Sequence, residues 1–475
     1  MRTARAALLF CFAVLGACGN ASGTSPASDS PVVDASTVAR DSGPSKAPGP
    51  TDAGGPESQQ APTDAAAETE AAAQADAAAK ADAAGPDADA APASFVHAQG
   101  AKLLDPNGQP LLLRGANLGN WLEYEGYLWL FDGSRGDRTR EIVQRVVDLI
   151  GDAGAATFWQ NYKTNYTTEA DIARLATLGF NSVRVPMTAS FLMPDGQDTF
   201  DDQEFGYLQN VVDWGGQHGI YIIFDMHAAP GGQNGQNIDN DSTGQPSLFT
   251  DPTNQDRLVA LWTEIARRFQ GSSAVAGYDL LNEPLPEPTY SQYVPQLYPL
   301  YQRVGQAIRT VDSHHMLIVE GANWADDWAS LGPPFDDNMA YSFHKYWDAT
   351  DISSIQSYIN YRTMWSRPIW CGETGENDDS WYQAVFPLLE SNDIGWAFWP
   401  WKKFEASNNP YSVSTPSGYS AIQAWVADPT QPQPSPAAAT ATLDALLQAV
   451  PLSQCMYNQD VVCSMPPVVS QMCMK

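Results

Sequence analysis

The chain is predicted to be an α/β protein built on an eight-stranded parallel barrel, and three features of the sequence carry that expectation. Between residues 94 and 428, short apolar runs alternate with stretches whose apolar residues recur at helical spacing, the pattern of strands buried on both faces and joined by helices. The runs number eight. Several end in a residue of chemical use, and in such a barrel the C-terminal ends of the strands form the catalytic rim.

In chain order the runs fall at 111–117, 181–186, 220–227, 274–283, 316–320, 339–344, 368–373 and 394–399. Helical stretches precede several of them. Residues 169–178 carry Ile172, Leu175 and Leu178 on one face, and similar stretches lie at 207–214 and 257–269. An open doubly wound sheet would use the same alternation, but no Gly-rich phosphate fingerprint follows an early run and no Walker-type loop is present.

The fourth run, Gly277-Tyr278-Asp279-Leu280-Leu281-Asn282-Glu283-Pro284, ends abruptly in an amide, a carboxylate and a proline that cannot donate to a ladder. The seventh, Pro368-Ile369-Trp370-Cys371-Gly372-Glu373, repeats the arrangement. Two glutamates at two strand ends are what glycoside hydrolysis requires, one as proton donor and one as nucleophile or base. Other runs end in Arg184, His227, His344 and Trp399. An ionised Glu373 is expected beside Arg184 and the Tyr346 hydroxyl, both of which favour the charged form. Glu283 is expected to arrive protonated, in a drier setting beside that negative charge. Asn282 is expected to hold the sugar 2-hydroxyl, His227 and His344 other hydroxyls, and Trp399 the floor of the pocket. No His-Glu-x-x-His pattern is present, no metal is called for, and retaining chemistry needs no cofactor.

Composition supports a sugar as ligand. Fifteen tryptophans supply flat apolar faces with polar edges that suit pyranose rings, although some must fill the core. A net charge of −30 argues against nucleic acid or an anionic membrane surface as partner. A neutral polymer is not repelled.

The ends of the chain read differently. Residues 1–17 hold two arginines and an apolar run too short for a bilayer, which needs roughly 20 residues, and are read as a secretory signal. Leu15-Gly16-Ala17-Cys18 resembles a bacterial lipobox, which implies cleavage before Cys18, lipidation of its thiol, and an outer-membrane or cell-surface lipoprotein whose only bilayer contact is the acyl group. Residues 18–93 are Ala, Pro, Asp, Ser and Gly with almost no large apolar side chain, so they cannot bury enough surface to fold and are read as a tether. After residue 428 a Pro/Gln-rich linker is expected, then a short helix at 441–450 and a tail with Cys455, Cys463 and Cys473. With Cys371 these allow three pairings. A free Cys371 leaves one bridge and an odd thiol.

From Leu112 to Lys403 the chain resembles glycoside hydrolase family 5, the cellulase-type (β/α)8 retaining enzymes with glutamates on strands four and seven. Asn282-Glu283-Pro284 is similar to that family's acid/base motif and Glu373 to its nucleophile, and Arg184, His227, His344, Tyr346 and Trp399 fall where its substrate-binding residues lie. Arg114-Gly115-Ala116-Asn117-Leu118-Gly119-Asn120-Trp121 with Glu125, the run from His227 to Gly235, and Trp399-Pro400-Trp401-Lys402 resemble the exo-β-1,3-glucanase branch. That resemblance implies that Glu125 grips a terminal glucose. Two features depart from it. Thr374-Gly375-Glu376-Asn377 follows Glu373, which makes Glu376 a rival carboxylate, and the loop 228–250 is long and rich in Gly, Asn and Gln. The expected activity is retaining hydrolysis of β-glucosidic bonds in an extracellular glucan by a monomer. Endo-β-1,4-glucanase action, transglycosylation and non-catalytic glycan binding are the competing readings.

Overall fold

The computed structural model describes residues 95–131, 135–233, 237–286, 288–465 and Cys473. The signal, Cys18 and the tether read at 1–93 lie outside the described residues. Eight parallel strands close into a barrel: β1 (Arg114–Asn117), β2 (Ser182–Thr188), β3 (Tyr221–Ala228), β4 (Val275–Asp279), β5 (Met316–Glu320), β6 (Met339–Lys345), β7 (Ile369–Gly375) and β8 (Gly395–Trp399). Closure runs through Trp396 opposite Arg114 and Phe398 opposite Ala116. The expected fold is the observed one.

The strands form where the apolar runs predicted, with shifts at the ends. The run expected at 274–283 stops being regular strand at Asp279. Leu280 N–H still bonds Ile318 C=O on one neighbouring strand, and Asn282 N–H bonds Met226 C=O on the other. Glu283 then turns out of the sheet with φ +40°, a left-handed conformation uncommon for a residue with a side chain. The first run begins late because Leu111 N–H pairs with Leu103 of an N-terminal hairpin. That hairpin, His97–Gln99 with Lys102–Leu104, brings Val96 and Leu103 against the inward residues Leu113, Met316, Ala340 and Trp370. It closes the N-terminal mouth with apolar contacts, the end of a barrel concerned with stability.

The helices follow the same logic. In Pro252–Phe269, Asp251 caps the N-terminus by accepting from Thr253 N–H, Pro252 sits in the first turn, and Leu258, Leu261, Trp262, Ile265 and Phe269 are buried. Their 3–4 residue spacing forms the stripe laid on the sheet. The stretch expected at 207–214 is the middle of Asp202–His218, capped by the Asp201 carboxylate. The long Thr139–Tyr166 segment has no counterpart in the sequence reading, and Gly151 breaks it with φ +74° and ψ 166°.

The boundary expected at residue 428 needs correction. Helix Pro436–Ala449 packs on Thr139–Tyr166, and Ala439, Leu443, Leu446 and Leu447 are buried at helical spacing. Its apolar stripe has nowhere else to go. Cys463 pairs with Cys473, while Cys371 and Cys455 are free thiols, the one-bridge outcome that the cysteine count allowed. Deleting residues 429–475 is therefore expected to lower the melting temperature, because each leucine that loses its cover forfeits about 1.5–3 kcal/mol. A truncated chain that melts with the full one in calorimetry would contradict this packing. Among the described residues no helix is long and apolar enough to cross a membrane.

Candidate active site

The site is assembled around Arg184. β2 is buried along its whole length and carries this guanidinium, fully inaccessible, into the barrel. Its Nε lies 2.9 Å from Asp279 Oδ2, and Nη1 donates to Glu373 Oε1 at 2.5 Å and Asn117 Oδ1 at 3.2 Å. Nη2 reaches Asn282 Oδ1 at 2.8 Å, Glu320 Oε1 at 3.1 Å and Asp225 Oδ1 at 3.0 Å. One cation thus faces four carboxylates from strands β3, β4, β5 and β7. A buried charge is tolerated when it is paired and its donors are used, and both conditions hold.

Above this layer lie the two glutamates. Tyr346 donates its hydroxyl to Glu373 Oε2 at 2.6 Å. Burial by itself pushes the Glu373 carboxyl up, but the positive charges of His344 and Arg184, with the Tyr346 hydrogen bond, overcome it and hold the group below its ordinary value of 4.5. Glu283 is anchored by its backbone N–H, which donates to Glu320 Oε2 at 2.7 Å. Its Oε1 is 2.6 Å from His344 Nδ1, and His344 Nε2 is 3.1 Å from Glu320 Oε1. Burial opposes a charge on His344, yet Glu320, Glu373 and Glu283 outweigh it and raise the ring well above its usual range. His344 is an imidazolium bridging carboxylates, a contact beyond the hydroxyl binding expected of it. Oxygen atoms of Glu283 and Glu373 approach within 4.8 Å.

A cavity of about 650 Å³ opens over these groups. His227, Trp399, Glu125 and Tyr127 form one wall, and Trp324, Asp326, Trp347 and Asp348 stand on its other sides. Trp399 stacks on His227 with ring centroids 5.2 Å apart and 5° between planes, and its Nε1–H donates to Tyr127 Oη at 2.6 Å. A Cβ on Gly119 would fall 2.9 Å from the same indole, so only glycine lets the backbone pass beneath it. Burial drives His227 down to about 3, which keeps it neutral, and its Nδ1 is 2.8 Å from Asp225 Oδ2. Gln233 fixes the strand ends from the side, donating to His227 C=O at 2.6 Å and Asn282 C=O at 3.1 Å.

Of the residues singled out from sequence, Glu283, Glu373, His227, His344, Tyr346, Trp399 and Glu125 line the cavity, and Arg184 and Asn282 support them from beneath. Glu376 lines it too, but Lys403 Nζ holds both its oxygens at 2.8 and 2.9 Å. Three members of the charge layer were not anticipated: Asp225, Asp279 and Glu320. Glu320 closed the fifth apolar run in the same way as Glu283 and Glu373, so the signal was present. Tyr127, Trp324 and Trp347 sit on irregular segments, where spacing carries no information.

Comparison with known proteins comes to the same region of the chain. The family described as "Cellulase (glycosyl hydrolase family 5)" matches residues 144–405. A protein named beta-xylosidase from Phanerodontia chrysosporium is 31% identical over 256 residues, which cover 53% of this chain and 52% of that protein. Probable glucan 1,3-beta-glucosidase A of Neosartorya fischeri is 31% identical over 202 residues, covering 42% and 46% respectively. Endoglucanase C of Acetivibrio thermocellus is 24% identical over 311 residues, covering 52% and 88%. The chain spans about half the length of the first two relatives.

Proposed function

The chain belongs to glycosyl hydrolase family 5, and from that premise we propose that it is a retaining β-glycoside hydrolase that cuts a β-glucan by double displacement, with Glu373 as nucleophile and Glu283 as acid and base. The observation that carries this reading is the carboxylate pair. One oxygen of each lies within 4.8 Å of one of the other, a closeness that suits retaining pairs, whose carboxyl groups stand about 5–5.5 Å apart, better than the roughly 6.5–9.5 Å of inverting ones.

In the first step a Glu373 oxygen attacks the anomeric carbon as the glycosidic bond breaks, and Glu283 gives its proton to the departing oxygen. The proton reaches Glu283 along the 2.6 Å contact of its Oε1 with Nδ1 of the charged His344 ring. In the second step Glu283 takes a proton from water, the resulting hydroxide attacks the anomeric carbon, and the ester to Glu373 breaks. Arg184 and Tyr346 keep Glu373 anionic for attack and make it a good leaving group afterwards. Asn282, with its carbonyl oxygen held by Arg184 and its Nδ2 3.4 Å from His227 Nε2, offers its second Nδ2–H to the sugar 2-hydroxyl, a contact that strengthens in the transition state.

The glycone end favours exo action on a β-1,3-glucan. Asn237 from the loop after β3 donates to Glu125 Oε2 at 2.6 Å, and Ile238 beside it walls the cavity. This contact supports the reading of Glu125 as the group that meets a terminal sugar. The glucan 1,3-beta-glucosidase relative supports the same choice, and the endoglucanase relative supports a β-1,4 endo cut. Sugar release from laminarin, lichenan, carboxymethyl cellulose and mannan decides between them: glucose as the first product from laminarin is expected, and oligosaccharides from carboxymethyl cellulose would overturn the exo reading. We further read residues 1–93 as a lipoprotein signal, an acylated Cys18 and a tether to the outer membrane or cell surface. Cys18→Ser is expected to move the activity from the membrane fraction to the soluble one, and activity that stays with the membrane would refute the anchor.

A further inference from the structure

We propose that Glu123, Glu125 and His227 form a binding site for a borderline divalent cation of the Zn²⁺ class at the inner wall of the cavity, and that its occupation shuts the sugar pocket. One ligand atom from each residue lies within 4.8 Å of those of the other two. All three side chains are buried.

Each ligand is aimed from behind. Asp225 Oδ1 is 3.0 Å from the Arg184 guanidinium, and its Oδ2 is 2.8 Å from His227 Nδ1, a contact that Nδ1–H makes as donor in the tautomer that binds a metal. The lone pair is left on Nε2, the atom 3.9 Å from Glu125 Oε1. A carboxylate behind the far ring nitrogen is the arrangement that orients histidine ligands of metals. Glu125 is pinned through its other oxygen, Oε2, by Asn237 at 2.6 Å, so Oε1 is the atom turned to His227. Glu123 supplies the independent observation. It is 1% exposed, and neither of its side-chain oxygens has a hydrogen-bond partner of ordinary geometry among the described residues, the Asn120 backbone amide being the one donor near enough to favour its charge. A buried carboxylate so poorly partnered must take up a proton or a cation. Burial first, and then neighbouring carboxylates, push both Glu123 and Glu125 well above the usual range, the electrostatic condition that a divalent cation relieves.

The donor set fits a particular ion class. One imidazole nitrogen and two carboxylates give three protein ligands, with the fourth position turned to the cavity that His227 and Glu125 line. Zn²⁺ accepts such a mixed set at about 2.0–2.2 Å. Ca²⁺ and Mg²⁺ are hard ions that prefer an all-oxygen shell, which a set containing an imidazole nitrogen does not match. The long contact between Asn282 Nδ2 and His227 Nε2, 3.4 Å, is what the cation displaces. Competition with sugar rests on the proposed glucan reading of the cavity, whereas the cation site does not.

Calorimetric titration of the full chain with ZnCl₂ tests the site. One cation per chain is expected, with affinity at least about tenfold weaker in Glu123→Gln and Glu123→Leu. Both variants should melt at or above the wild-type temperature, because each removes a poorly partnered buried carboxyl group; a lowered melting point would mean that Glu123 is structural. On laminarin, Zn²⁺ should raise KM and leave kcat unchanged in wild type, with no effect in either variant and none from Mg²⁺ or Ca²⁺. Equal Zn²⁺ affinity in wild type and variants would overturn the proposal and assign binding to Cys455 or surface acids. Inhibition that survives in Glu123→Gln would assign it to Glu283, His344 and Glu373. If no glucan is cut, calorimetry still decides the cation site.

Discussion

Glu373→Gln is expected to lower kcat by at least about 10³-fold, and Glu283→Gln by about 10²–10⁴-fold, with both proteins still folded. The reason is geometric. Glu373 is the carboxylate that touches both Arg184 at 2.5 Å and the Tyr346 hydroxyl at 2.6 Å, so it is the one held anionic and poised to attack. An amide cannot carry the ester or return as a leaving group. Glu376 faces the same cavity but is tied to Lys403 at 2.8 Å, and Glu376→Gln should change kcat by no more than a few fold. Initial-rate measurements on the released sugar, with circular dichroism to verify folding, separate the three variants. A Glu376→Gln loss larger than that of Glu373→Gln would exchange their roles. Because the Glu373 carboxyl is held below 4.5, the acid limb of the wild-type kcat/KM profile should fall below that pH.

Arg184→Ala is expected to destabilise the protein by about 3–5 kcal/mol, the cost of leaving buried charges without their partner. Asp225, Asp279, Glu320 and Glu373 all lean on this one guanidinium, and nothing else among the described residues reaches all four. The effect depends on pH with a definite sign. In wild type the depressed Glu373 contributes stability above its unfolded pKa of roughly 4.5, and that stability is lost as pH falls through the lower folded value. Without Arg184 these carboxylates protonate at higher pH. The deficit in urea denaturation should therefore be largest near neutrality and shrink towards pH 5. A deficit that stays constant across that range would point to a packing cavity instead of lost charge compensation.

The barrel was legible because its strands are buried on both faces and read as unbroken apolar runs, and because Pro284 and Gly375 mark where two of them end. The same ends delivered most of the site: Glu283, Glu373, His227 and His344 lie at or near the ends of their runs, whereas Arg184, expected to end the second strand, sits in its middle because β2 runs on to Thr188. Glu320 was equally visible in that pattern and went unassigned, since only two carboxylates were sought. Asp279 was hidden by its position inside a run, where a charge is unexpected until Arg184 is seen facing it. The helix Thr139–Tyr166 escaped because Gly151 resets its phase, and the Pro-rich stretch before Pro436–Ala449 suggested a detached tail although Leu443 and Leu446 mark a buried face. Glu123 lies in a motif otherwise read for Trp121 and Glu125. Its poorly partnered burial exists only in three dimensions.

The most direct test of the double-displacement account is the anomeric configuration of the first sugar released, followed by ¹H NMR within the first minutes of laminarin hydrolysis before mutarotation intervenes. The account predicts the β-anomer, formed by two successive inversions at the anomeric carbon through an ester on Glu373. Initial appearance of the α-anomer would mean a single displacement by water, and would contradict the assignment of Glu373 as nucleophile.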